Sequence, residues 1–565
     1  MPKKSFQTVA ALMLIFTFVV FANPPKYGGT VIVAVTGDPS GLNPAITTQG
    51  GVTTIGGSIF NGLVALDFNL NPVPELATKW EISDDGRTYT FQLAENAEFH
   101  DGKPLTSDDV KFTFEELLLK YHSRTRAAIG GNLKNILTPE AHTVVFEFEK
   151  PYAAFLQLID VTNAPVMPKH LFENTDPLTN PYNTKPVGSG PFKFGEWQQG
   201  NYLLLEKNEN YFKEGKPYLD KVIYKVLPNN STAAIALENG EVDLLANVDP
   251  LDVPRLEKNP NIILTDKGQE GFAGVETILL NLNNKPLSDV RVRRALSHAI
   301  DKDYIVEKVK FGKAKVATGP ISYKLKWAYN PNVTTYKHDA ELAKKLLDEA
   351  GYKADAEGVR FHLKAIYAQG YAKIFEVLRD QFKEVGVILD MNQVEFSSMV
   401  DQVYIKKDFD VSVSSFENGP DPDIGVKRTL ISSNIGAIPF SNGSGYKNAR
   451  VDELFELAAA EKDRQKRAEY YYEIQEITAK DVPYFRLYSG TSESAYRKEL
   501  QGMFEWSAKS GTYFAQDAWW LNGERPDNSA SEVLGNRQFY FFAGLAILGL
   551  IAVILILIRR KLKRI

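Results

Sequence analysis

The chain has 565 residues, 44% of them hydrophobic and 24% charged. That length exceeds a single domain of roughly 100–200 residues, and the composition excludes a disordered or fibrous chain. There is no cysteine, which excludes disulfides, thiolate metal sites, a cysteine nucleophile and a lipid-modified N-terminal cysteine. The formal net charge of −5 hides an asymmetry: the first 22 residues carry +2 and the last seven +5, leaving −12 on the body. Such a body repels polyanions and argues against nucleic-acid binding.

Residues 1–22 read as a secretory signal. Lys3 and Lys4 precede an apolar run from Val9, and the small residues Val20 and Ala22 stand before a cut after Ala22. Further along, Asp84-Asp85-Gly86 is turn chemistry before Thr88–Leu93, whose period-two alternation predicts a half-buried strand. Val144–Phe148 alternates likewise. Ser107 is expected to cap a helix with Val110, Phe114 and Leu117 on one face, and Ser288 one with Val292, Leu296 and Ala299. Asp339 is expected to cap a helix closed by Gly351, and a long helical stretch from Val451 to about Asp481 stops at Pro483. A polar linker at about 523–538 leads to Phe539–Ile558, 20 residues without a charge, long enough to cross about 30 Å of hydrocarbon. The basic tail 559–565 sets the cytoplasmic side. The expectation is an extracytoplasmic α/β body held at the membrane by one C-terminal transmembrane helix.

Catalytic signatures are missing. There is no GxxxxGK[ST], HExxH, GxSxG or GxGxxG. The seven histidines (His100, His122, His142, His170, His298, His338, His362) are scattered without ligand spacing, so no metal or cofactor is expected. Gly188-Ser189-Gly190-Pro191 reads as a tight turn entering a strand, and Asp421-Pro422-Asp423 falls short of a calcium loop.

Several longer runs carry a resemblance. In order they are Gly41-Leu42-Asn43-Pro44, the hydrophobic step Ile59 to Leu63, Pro74 to Glu81, Asp85 to Phe91, Phe99 to Val110, Gly188 to Phe194, Pro286 to Asp301, and Asp339 to Gly351. Over about Tyr27 to Trp520 the chain resembles the solute-binding proteins of ABC importers of the dipeptide/oligopeptide/nickel class, solute-binding family 5. The resemblance implies a two-lobed periplasmic-binding-protein-like α/β fold of the large class with an extra inserted domain. Carried over, the first lobe takes residues 27–58, 186–272 and 493–522, the insert 59–185, and the second lobe 273–492. Most of the landmarks have structural explanations. Arg291, Arg293 and Arg294 are expected to form an ion network at a lobe edge.

The resemblance implies a monomeric binder, not an enzyme, that closes on a solute by a hinge and delivers it to a permease with a separate ATPase. In the peptide binders of the class an aspartate meets the ligand's α-amino group. Here Glu417 is the closest positional match, Asp421 its rival, and Asn418 lies between them. Both acids depart from the family pattern, so the alternative of an oligosaccharide, such as a short β-glucan stacked on tryptophan, stays open. Trp506 is the tryptophan chosen, ahead of Trp327, Trp519 and Trp520. The expected ligand-binding residues are therefore Glu417, Asn418, Asp421 and Trp506. Nickel is a poorer reading and a tethered hydrolase a distant one. Asn229, Asn230, Asn332 and Asn442 fit N-x-[ST] acceptor patterns.

Overall fold

The computed structural model describes residues 24–67, 70–267, 273–490, 493–502 and 517–526. The signal 1–22, Trp506, the apolar segment 539–558 and the basic tail lie outside the described residues. Among the described residues no helix is long and apolar enough to cross a membrane.

Two mixed sheets organise the chain. The first has seven strands in the spatial order Ile262–Thr265, Ser494–Arg497, Leu244–Leu245, Thr30–Val35, Lys221–Val226, Tyr202–Lys207 and Phe192–Gln198. Its central strand, Thr30–Val35, is an apolar run that pairs in parallel on both sides, Val31 with Val222 and Val33 with Leu244. A strand buried on both faces needs such a run rather than an alternating one. The second sheet has six strands in the order Lys315–Val316, Tyr484–Gly490, Gly274–Leu280, Val411–Glu417, Phe361–Ala368 and Val387–Val394. The chain passes between the sheets twice, between residues 265 and 274 and again between 490 and 494.

A four-stranded antiparallel sheet, Ala77–Ile82, Thr88–Leu93, Thr143–Phe148 and Leu133–Glu140, belongs to the stretch inserted after the first lobe's opening strand. Thr88–Leu93 alternates strictly, with Tyr89, Phe91 and Leu93 buried. Phe91, Phe146 and Phe155 meet edge-to-face beneath it.

The helix starts differ from expectation by one residue. Thr106 rather than Ser107 caps Ser107–Phe112, in a capping box with Asp109, and Asp289 rather than Ser288 caps Val290–Ala299. Asp339 caps Ala340–Glu349, and Gly351 follows at φ +96°. The long stretch near the end is two helices, Ala449–Ala460 and Arg464–Asp481. Asp463 breaks it because its carboxylate accepts from the amides of Gln465 and Lys466 and so opens a new helix.

The landmark runs are joined by buried contacts. Asn61 donates to Glu75, Ser189 to Asn61 and Lys213 pairs with Glu75. Gly188 and Gly190 lie against the main chain at Ile59, where a Cβ on Gly188 would come within 2.0 Å of the Ile59 carbonyl. No side chain fits there, so these glycines serve close approach. Among the described residues, Arg291 is the one of the three arginines that forms an ion pair, with Asp289. Arg293 and Arg294 instead donate to the carbonyls of Asp481, Val482 and Lys480 and close the end of the Arg464–Asp481 helix.

Candidate functional site

The strand Val411–Glu417 ends at the junction of three units, and its last residue is Glu417. Across from it stands the insert's helix Ser123–Ile129, which packs on the short second-lobe helices Pro422–Gly425 and Lys427–Leu430. Arg124 of that helix donates to the Glu417 carboxylate at 2.5 Å. The guanidinium is 4% exposed and the carboxylate side chain 32%. Arg428 of the second lobe lies beside them, 3.4 Å from Ser123 Oγ of the insert and 3.5 Å from Thr48 Oγ1 of the first lobe. Thr48, Ser123, Arg124, Glu417 and Arg428 therefore meet at this point.

The charge here is unbalanced. Two buried guanidiniums face one carboxylate, and Arg428 makes no direct ion pair among the described residues. Burial pushes Arg428 down to about 9, Arg124 adds to the depression, and Glu417 opposes it. His122 is fully buried next to this cluster, and its Nε2 has no hydrogen-bond partner among the described residues. Burial and the nearby Arg124 and Arg428 hold His122 near a pKa of about 3, so it is neutral.

Asn418 and Asp421 sit in the same loop but turn inward. Asn418 is 2% exposed, accepts from the Ser322 amide and donates to the Pro320 carbonyl at 3.0 Å. Asp421 is 3% exposed and caps Pro422–Gly425. Its carboxylate also accepts from Arg467 at 2.9 Å and from the Tyr471 hydroxyl at 3.1 Å. Both side chains have their hydrogen-bonding capacity taken within the second lobe. Gly425 holds the loop tight: a Cβ there would meet the Asn418 carbonyl at 2.0 Å and the Glu417 carbonyl at 2.6 Å.

Trp327, Trp519 and Trp520 serve the cores. Trp520 is fully buried and donates to the Thr30 carbonyl at 3.0 Å, while Asp517 beside the Trp pair is bound by Lys216. Trp327 packs edge-to-face on Tyr471 and under the guanidiniums of Arg464 and Arg467. Asn442 is fully buried, and its amide donates to the carbonyls of Ile431 and Tyr446. That burial removes it as a surface acceptor for glycan in the folded protein.

A second tier fastens the insert to the second lobe. Ile424 and Ala459 belong to the apolar cluster that holds Phe91, Phe146 and Phe155. The Ala153 amide donates to the Ala459 carbonyl at 2.8 Å, and Lys462 donates to the Asp84 carbonyl at 2.5 Å. Arg124, Arg428, Ser123 and Thr48 had no local signal in the sequence; the only hint was two arginines in the short stretch Ser123-Arg124-Thr125-Arg126. Among the described residues no group of His, Asp and Glu is placed to hold a metal ion.

Residues 71–437 match the family described as bacterial extracellular solute-binding proteins, family 5. The chain belongs to this family. It is 32% identical to the oligopeptide-binding protein AppA of Bacillus subtilis (strain 168) over 526 residues, covering 88% of this chain and 93% of that one. In three dimensions it is similar to AppA from Bacillus subtilis solved with a nonapeptide, at TM-score 0.79 and 30% identity, covering 88% and 100% of the two chains. It is also similar to the periplasmic binding protein DppA from Helicobacter pylori solved with the peptide STSA, at TM-score 0.80 and 26% identity, covering 88% and 99%. The two-lobed α/β architecture expected from the sequence is the architecture of these relatives.

Proposed function

We propose that the protein captures short peptides outside the cytoplasm for an ABC importer, closing its lobes on the ligand at Glu417 and passing it to a permease served by a separate ATPase. The observation that carries this reading is the Glu417 carboxylate. It is one-third exposed and faces a cation at the meeting point of the three units, whereas its neighbours Asn418 and Asp421 are spent inside the second lobe. Arg124 already answers this carboxylate, so a ligand ammonium would share it with that guanidinium or displace it. The peptides bound by AppA and DppA support a peptide as the ligand here, and its α-ammonium would be the group that meets Glu417. The protein acts as a binder, not an enzyme, and works as a monomer.

The segment 539–558 would hold the body at the membrane in place of a lipid anchor. Arg525, inside the stretch expected to be linker, is buried and bound to Asp243 of the first lobe. The free linker would then be 527–538, which reaches at most about 40 Å when extended. That short tether keeps the body near a permease and raises its effective concentration there.

Isothermal titration with peptides of two to nine residues, beside a panel of β-linked oligosaccharides, tests the reading. Binding of peptides by the wild type, weakened at least about tenfold in Glu417→Gln, is the expected result. Tight sugar binding with no peptide response would overturn it.

A further inference from the structure

Away from Glu417, the second lobe contains a cavity of about 70 Å³ with two cations on its wall and no anion to answer them. It lies between the Tyr484–Gly490 strand, the start of the Lys302–Tyr304 turn, the segment 316–318 and the end of the Arg464–Asp481 helix. On the scale where one water needs about 10–15 Å³, this space holds about five waters or one tetrahedral oxyanion.

Arg486 is 5% exposed, and its Nε and Nη2 have no hydrogen-bond partner among the described residues. Only its Nη1 reaches an acceptor, the Thr478 carbonyl, at the long distance of 3.5 Å. Lys302 lines the same cavity, is half-buried and makes no ion pair among the described residues. The acids that could compensate are committed or turned away. Glu476 accepts from Thr334 and pairs with Lys480 at 2.9 Å, and Asp481 accepts from Tyr446 and Asn448. Asp303, next to Lys302, is exposed. Of the hydroxyls on the wall, those of Ser297, Thr318, Thr334, Tyr336 and Tyr484 donate elsewhere. A buried guanidinium with two orphan N–H groups is rare, and a second cation beside it compounds the desolvation penalty.

We propose that this cavity binds one small inorganic anion, a halide or a tetrahedral oxyanion such as sulfate or phosphate, between the Arg486 guanidinium and the Lys302 ammonium. The anion would supply the acceptors that Arg486 lacks and cancel the repulsion between the two cations. Burial and Arg486 push Lys302 down to about 8 against the pull of Asp303, and burial pushes Arg486 to about 10. None of Glu417, Arg124 and Arg428 lines this cavity, and the site is independent of the peptide reading.

The test is thermal unfolding of the full chain in detergent at constant ionic strength, with bulky gluconate replaced in turn by chloride, sulfate and phosphate. One anion should raise Tm saturably by about 2–4 °C. Lys302→Gln should raise Tm in gluconate, because the repulsion is gone, and abolish the anion response. Arg486→Gln should also abolish it; should that variant not fold, Lys302→Gln alone decides. Bromide soaked into crystals should give an anomalous peak between the two side chains. Equal Tm in all four salts, or an undiminished response in Lys302→Gln, would overturn the proposal, and so would a cavity filled with water alone.

Discussion

Arg124 and Glu417, 293 positions apart in the chain, meet at 2.5 Å and join the insert to the second lobe. A ligand ammonium bound at Glu417 must displace that guanidinium or share the carboxylate with it. Arg124→Ala therefore should tighten binding of peptides with a free N-terminus, by roughly tenfold or about 1.4 kcal/mol, and leave N-acetylated peptides unchanged. Titration calorimetry of matched free and acetylated peptides reads the difference. A loss of affinity for both would mean that Arg124 holds the site together rather than competing for it.

Asp421 and Arg467 form a buried pair with Tyr471 as the third member. Removing one charge leaves the other stranded out of water. Asp421→Ala should destabilise the fold by about 3–5 kcal/mol, measured by urea unfolding. Asp421→Ala combined with Arg467→Met should recover part of that loss, since the stranded cation is then gone.

His122 and Glu276 tilt stability with pH in opposite directions. The native state holds His122 near about 3, below its ordinary 6.5, so the unfolded chain takes up a proton that the folded one refuses. Stability from this group is lost as pH falls from 6.5 toward 3. Burial raises Glu276 to about 7 from 4.5, so the folded chain keeps a proton there that the unfolded one releases. Stability from that group is lost as pH rises from 4.5 toward 7. Between 4.5 and 6.5 the two slopes oppose each other. Relative to wild type, His122→Asn should lower the slope of stability with rising pH over this window and Glu276→Gln should raise it, each by up to about 1.4 kcal/mol per pH unit, while His100, held near about 4, keeps its own share of the acid-side loss in both variants. Denaturant midpoints at half-unit pH steps provide the check.

Gly425 touches the carbonyls of Glu417 and Asn418. Gly425→Ala should force that loop outward, cost about 1–3 kcal/mol in stability, and weaken peptide binding without changing any ligand-facing side chain. Gly131→Ala is the control, because a Cβ at the exposed Gly131 meets nothing within 4 Å and its φ is not positive.

The sequence revealed features carried by neighbours in the chain. The alternation of Thr88–Leu93, the caps at Asp339 and near Ser107, and the turn at Gly86 all depend on residues within five positions. Glu417 was legible only as the closest positional match to the acid that peptide binders of the family carry in this loop, in a stretch that departs from their pattern. The roles of Asn418 and Asp421 stayed hidden because their partners are Ser322, Arg467 and Tyr471, between 46 and 96 positions away. Arg124 was missed for the same reason: nothing within its own helix distinguishes a guanidinium that crosses to another unit from one that meets solvent. The break at Asp463 was legible in principle, since an aspartate followed by free amides is capping chemistry, but the apolar periodicity on either side obscured it.

The return passage between the sheets is far shorter than the outward one. Tyr484–Gly490 and Ser494–Arg497 stand in different sheets with three residues between them, against eight between Thr265 and Gly274. Three residues reach only about 10 Å. The second lobe is thus leashed at one corner and cannot slide bodily away from the first. Any separation must swing about that corner, with the widest excursion at the far side, so a spin-label pair bridging the 490–494 passage should barely change its spacing while a pair across Arg124 and Glu417 records the full arc.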